Sequence, residues 1–250
     1  LNKTERGDVI VLKVDKVSKQ FIHQKQTIDA VCNVSFEIAT GETVGLIGPN
    51  GAGKSTLMRM IATLMKPSSG NIWIDTYNVA THSQHAKARM GYVSLDTNLP
   101  EQMSGEQLLR YFARIYALDA DITERRIATW TERLSLQKYM HKPFGQLSSG
   151  NKQKISLVRG LLHQPAFLLL DEPSNGLDIV ALGVLRDTLC SLKNEGTSIL
   201  ISSHILQDIQ LCERLLVMHE GELIRNEPLA QIGEHLISLE DYYLRAVDAQ

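Results

Sequence analysis

Gly48-Pro49-Asn50-Gly51-Ala52-Gly53-Lys54-Ser55-Thr56 is the stretch from which the rest of the chain can be read. A glycine, four residues and then Gly-Lys-Ser form the pattern of a loop built to hold a polyphosphate. Gly48, Gly51 and Gly53 let the backbone turn sharply and bring its N–H groups close to an anion. A helix beginning near Lys54 adds its positive end. Lys54 then faces the outer phosphates, and the Ser55 hydroxyl is placed for Mg²⁺. Upstream, Thr43-Val44-Gly45-Leu46-Ile47 predicts a short buried strand. Downstream, Leu57, Met60, Ile61 and Leu64 recur at helical spacing, and Pro67-Ser68-Ser69-Gly70 ends that helix. Strand, loop and helix in this order are the context such a loop requires.

Before the loop, Val9 to Val14 and Asn33 to Ile38 read as strands, which predicts a small antiparallel sheet beside the nucleotide. Phe21 lies between them. It is either a core residue or a ring stacked on a base, and pattern alone leaves both open. After the loop, Asn71 to Asp75 and Gly91 to Ser94 are short strands. From about Leu95 to Gly145 the character becomes helical, with Leu108, Phe112 and Ile115 on one face and Ile127, Trp130 and Leu134 on another.

A second chemical centre follows. Phe167-Leu168-Leu169-Leu170 is a continuous apolar run, as in a strand buried on both faces, and it ends in Asp171-Glu172. Ligands gather at the carboxyl ends of such strands. Asp171 is placed to hold Mg²⁺ through water, and Glu172 to polarise an attacking water. Leu182, Leu185, Leu189 and Leu192 mark a helix, Ser198 to Ser202 a strand, and His204 sits just past that strand's end. Between the two centres, Ser148 or Ser149 can cap the helix carrying Ile155, Val158 and Leu162. An ordinary capped helix and a second anion site both fit that spacing. Glu220-Gly221 reads as a hairpin turn between Leu215–Met218 and Leu223–Ile224.

Composition bounds the function. The chain has 250 residues, 43% of them hydrophobic, enough for one large domain or a core with a subdomain. With 26 basic and 28 acidic side chains, nothing points to a nucleic-acid partner. The three cysteines, Cys32, Cys190 and Cys212, have no metal-ligand spacing and fit a reducing compartment. No apolar run approaches the ~18 residues of a membrane span, and no signal-peptide core is evident. Any work at a membrane is expected to run through a partner.

Taken together, the motifs resemble the ATP-binding subunit of an ATP-binding-cassette (ABC) transporter over nearly the full length. In that family Gly48 to Thr56 corresponds to Walker A, Phe167 to Asp171 to Walker B and Glu172 to the catalytic glutamate. Leu147-Ser148-Ser149-Gly150-Asn151 corresponds to the signature motif, Asn175 to Asp178 to the D-loop, His204 to the switch histidine and Phe21 to the adenine-stacking aromatic. The resemblance implies an α/β phosphate-loop NTPase with a RecA-like core, a small antiparallel β subdomain and an inserted α-helical subdomain. It divides the single cassette 1–250 into core with β subdomain (8–94, 160–225), helical subdomain (95–159) and C-terminal extension (226–250).

It also implies ATP and Mg²⁺ as ligands and a head-to-tail dimer, with Ser148, Ser149, Gly150, Asn151 and Asp178 facing the other subunit's nucleotide. Glu172 and His204 are then catalytic, and Ser55 and Asp171 hold the metal. A separate transmembrane permease, reached from the cytoplasmic face of the cell membrane, completes the transporter. Arg59 to Pro67, Arg110 to Tyr116 and Ser238 to Leu244 resemble the sodium- and drug-extruding branch. The alternative is a regulatory cassette that switches by ATP-driven dimerisation. A phosphate-loop kinase or GTPase is disfavoured by the Ser148–Asn151 segment and by the lack of an Asn-Lys-x-Asp motif.

Three motifs depart from the family pattern. Leu95 stands where a metal-contacting glutamine is usual. The neighbouring Asp96 can replace it only from the opposite side of an extended loop. Ser149 and Asn151 replace the usual glycine and glutamine of the signature. Phe21 replaces the commoner tyrosine but keeps a stacking face.

Overall fold

The computed structural model describes residues 9–23, 26–94, 99–232 and 239–248. Its centre is a six-stranded sheet in the order β10-β9-β3-β8-β7-β6. These are Glu222–Pro228, Arg214–His219, Thr43–Ile47, Ser198–Ser202, Phe167–Asp171 and Met90–Ser94. Strands β9, β3, β8, β7 and β6 run parallel, and β10 turns back antiparallel. All five residues of β3, β7 and β8 are buried, and alternate side chains serve two cores. Phe167 and Leu169 join one cluster, Leu168 and Leu170 the other. A strand covered on both faces needs apolar residues at every position, hence the unbroken run.

The first core lies between this sheet and a second, antiparallel one. The second sheet has the order β2-β1-β4-β5, from Gln26–Ala39, Ile10–His23, Ser69–Ile74 and Tyr77–Asn78. The expected short strands before the loop are thus two 14-residue strands of one hairpin, joined by two strands from after the loop. Helix α1, Lys54–Ile61, fills the space between the sheets with Leu57, Met58, Met60 and Ile61.

Two expectations fail around α1. The helix ends at Ile61, not at Pro67, and Leu64 is 60% exposed. Thr63 takes a left-handed conformation (φ 60°), its N–H donates to Met60 O (3.1 Å), and Leu64 N–H donates to Arg59 O (2.9 Å). That pair of bonds closes the helix in a Schellman motif. Ser69 and Gly70, expected in the stop, already belong to β4.

The second core is covered by α6 (Ile179–Asn194) and by the inner side of α5 (Ser149–Leu161). A third cluster gathers α3 (Gly105–Ile115), α4 (Ala120–Arg133) and the outer side of α5 through Leu108, Leu109, Ile127, Leu134, Ile155 and Val158. Ile115, expected to share the buried face of α3, is 58% exposed. Helix α5 belongs to both clusters, and the anticipated division at residue 159 falls inside it. The division at 226 falls inside β10. Short helices α2 (Ser83–Arg89), α7 (Leu206–Ile209) and α8 (Leu229–Ile232) complete the order, and α9 (Leu239–Asp248) packs Tyr242, Tyr243 and Ala246 against the second core.

Candidate active site

Parallel strands in register place their carboxyl ends side by side. Ser94 of β6 pairs with Asp171 of β7, Asp171 with Ser202 of β8, and Ser202 with Leu46 of β3. One residue beyond β3 the phosphate loop begins; one residue beyond β7 is Glu172; two beyond β8 is His204. Residues separated by more than a hundred positions therefore meet on one edge.

The loop is wedged between two backbones. A Cβ built on Gly53 (φ 97°) falls 2.3 Å from Ala30 O, and one on Gly48 (φ 153°) 2.3 Å from Met218 O. Neither conformation nor space admits a side chain there. The far side of the loop is open, since a Cβ on Gly51 meets nothing within 4 Å. Lys54 is only 7% exposed, and its Nζ donates to Gly48 O (2.7 Å) and Pro49 O (3.1 Å). Burial pushes its pKa down, while Glu172 and Asp171 pull the other way. Next to it, Ser55 is exposed at the start of α1.

Asp171 is 5% exposed, and its Oδ1 accepts from Ser202 Oγ (2.7 Å). The same Oγ accepts from Glu172 N (3.0 Å), so one buried hydroxyl orients both acids. Glu172 turns out of the strand with φ 49°, and its Oε2 meets His204 Nδ1 at 2.8 Å. Ser202 was legible only as a strand residue. Its role needed the β7–β8 register, which sequence spacing does not show.

Phe21 is 38% exposed, which removes the core reading. It pairs across the hairpin with Ile28, two residues from the Ala30 carbonyl that abuts Gly53. Lys19 Nζ lies 5.3 Å from the centre of its ring. Ser148 caps α5 and accepts from Asn151 N (3.4 Å) and Nδ2 (3.0 Å). Ser149 Oγ donates to Gly176 O (2.7 Å), and Asp178 caps α6 by accepting from Ala181 N (2.8 Å). Among the described residues, the side-chain hydrogen bonds of Ser148, Ser149 and Asn151 run within that segment and to Gly176, not to the phosphate loop. Leu95 and Asp96 lie outside the described residues.

A glycine-lined loop on a helix start, a buried lysine and two acids at the end of β7, one strand removed in the same sheet, define a phosphate-loop nucleoside triphosphate hydrolase. The comparisons narrow the class. A family model described as "ABC transporter" matches residues 31–175. The chain is 37% identical over 219 residues to the ABC transporter ATP-binding protein NatA of Bacillus subtilis, covering 87% of this chain and 89% of that one. It is 35% identical over 195 residues to the Nod factor export ATP-binding protein I of Burkholderia orbicola, 78% of this chain and 64% of that one. A solved ATP-binding subunit of an ABC transporter superposes with a TM-score of 0.84 at 30% identity, over 95% and 99% of the two chains. The dimeric cassette MJ0796 bound to ADP and Pi shares the fold, with a TM-score of 0.81 at 24% identity, over 87% and 98% of the two chains.

The chain belongs to the ABC transporter family, as an ATP-binding and ATP-hydrolysing subunit. Membership implies a separate membrane permease. Among the described residues, no helix is long and apolar enough to cross a membrane.

Proposed function

We propose that two copies of this site close head to tail on ATP, and that hydrolysis drives export of sodium or drug-like solutes by a permease at the cytoplasmic face of the membrane. The observation that carries the chemistry is the Glu172–His204 contact of 2.8 Å on the same edge as buried Lys54. Similarity to an export subunit and the sodium-exporter-like segments support the direction of transport.

Lys54 neutralises phosphate charge; its ammonium already lies among loop carbonyls, so little reorganisation is needed. Glu172 takes a proton from the attacking water while the bond from the γ-phosphorus to the ADP oxygen breaks. His204 fixes one oxygen of that carboxylate and leaves the other for the water. Phe21 offers its face to the base. Ser148, Gly150, Asn151, Asp178 and the backbone of Ser149 face the nucleotide of the second copy.

The site fits Mg²⁺ only together with the nucleotide. Among the described residues no cluster of three or more ligating side chains exists, and magnesium is commonly held by one or two protein oxygens, phosphates and water. Ser55 and Asp171 would hold it, and it would supply charge neutralisation at the phosphate oxygens.

Sedimentation with ATP and Mg²⁺ tests the reading. Glu172→Gln keeps the binding contacts and loses the proton acceptor, so it should accumulate as an ATP-bound dimer. A Glu172→Gln protein that hydrolyses ATP at the wild-type rate removes Glu172 from catalysis.

A further inference from the structure

We propose that Ser149 is a positioning residue for the Glu172 segment, acting through the hydrogen bond from its hydroxyl to the Gly176 carbonyl. This rests on the ATPase reading above.

Ser149 and Gln153 are one turn apart on α5 and so share a face. Both donate into the segment that follows Glu172: Ser149 Oγ to Gly176 O (2.7 Å), and Gln153 Nε2 to Pro173 O (2.9 Å). Gln153 is 2% exposed, so its bond is sheltered from water. The two carbonyls bracket residues 173–176. The segment enters with Glu172 at φ 49° and leaves with Gly176 at φ 69°. A non-glycine residue in the left-handed region persists only where its surroundings hold it. Between the two donors, a Cβ on Gly150 would meet Ala181 Cβ at 2.9 Å, so the starts of α5 and α6 are in contact. The whole arrangement fastens the signature helix to the loop that carries the catalytic acid.

A serine hydroxyl has one proton to give. Here it goes to Gly176 O, so the Ser149 side chain cannot also donate to a phosphate while that bond stands. Its backbone N–H remains for an anion. Glycine at this position has no hydroxyl and would leave Gln153 as the single clasp. The second clasp therefore comes with the serine and acts on the chemical step, not on nucleotide binding.

The test is steady-state ATP turnover of the whole chain with Mg²⁺, for wild type, Ser149→Gly, Ser149→Ala and Ser149→Thr. The expected result is a kcat about fivefold lower in the Gly and Ala variants with KM for ATP unchanged, the size of effect one net hydrogen bond supports. Ser149→Thr keeps the hydroxyl and should restore kcat, which a purely steric role for the side chain does not predict. A raised KM with unchanged kcat would make Ser149 a phosphate ligand and overturn the proposal, as would four proteins with identical kinetics. Failure of the ATPase reading looks different: wild type would be no faster than Glu172→Gln.

Discussion

Two segments of one site are held in opposite ways. The phosphate loop is fixed by backbone, with Gly53 pressed on Ala30 O, Gly48 on Met218 O, and Gly221 N donating to Ala52 O at 3.1 Å. The acid segment from Asp171 to Asp178 leaves the sheet after Glu172 N donates to Ser202 O (3.1 Å), and four side chains then tie it down, those of Ser202, His204, Gln153 and Ser149. Close backbone contact leaves no room for adjustment. Side-chain bonds are each worth about 1 kcal/mol net between neutral groups and about 1.5–3 at a carboxylate, and can be released singly. A rigid cradle for binding beside an adjustable clamp for chemistry suits an enzyme whose turnover must answer to partners.

The largest effect should come from breaking the cradle. Gly53→Ala places a methyl 2.3 Å from a carbonyl at φ 97°. ATP affinity by calorimetry should fall about a thousandfold, or ~4 kcal/mol. Affinity within threefold of wild type would mean that the loop yields as readily as the clamp.

Acid should act on the scaffold. His163 Nε2 donates to Met90 O at 3.0 Å, its ring stacks on Tyr116, and burial pushes its pKa down to about 4 from 6.5. Above pH 6.5 the imidazole is neutral folded or unfolded, and this stability is fully present. As pH falls toward 4, only the unfolded chain binds the proton, so folding loses roughly 3 kcal/mol. Denaturant melts at pH 7 and 4.5 should show a loss that His163→Gln largely removes. An equal loss in that variant would place the acid sensitivity elsewhere.

A smaller effect tests the clamp. Ser202→Ala removes the hydroxyl shared by Asp171 and Glu172, and turnover should fall about tenfold, ~1.4 kcal/mol, with ATP affinity nearly unchanged. If affinity falls as far as turnover, the two segments are not separable.

The same contrast explains what could be read in advance. The loop was legible because its constraint is local: only glycine fits those backbone angles, and the lysine follows at fixed spacing. Phe167–Leu170 showed its burial because a doubly covered strand has no polar position to spare. The clamp was legible only in part. Asp171, Glu172 and His204 announced themselves by chemistry, but Ser202 required the strand register and Ser149 required a turn 27 residues away. The end of α1 was misplaced because a Schellman closure with Thr63 in the glycine-like conformation leaves no glycine or proline at the stop. Phe21 is undecided in the sequence because strand pattern does not tell an exposed ring from a core one.

The most direct test of the division between cradle and clamp is the ATP dissociation constant of Glu172→Gln, measured on the same preparation as its turnover. Clamp chemistry without cradle damage predicts a dissociation constant within about threefold of wild type and turnover at least about a hundredfold lower. A parallel fall in both would contradict it, because the acid would then be part of what holds the nucleotide.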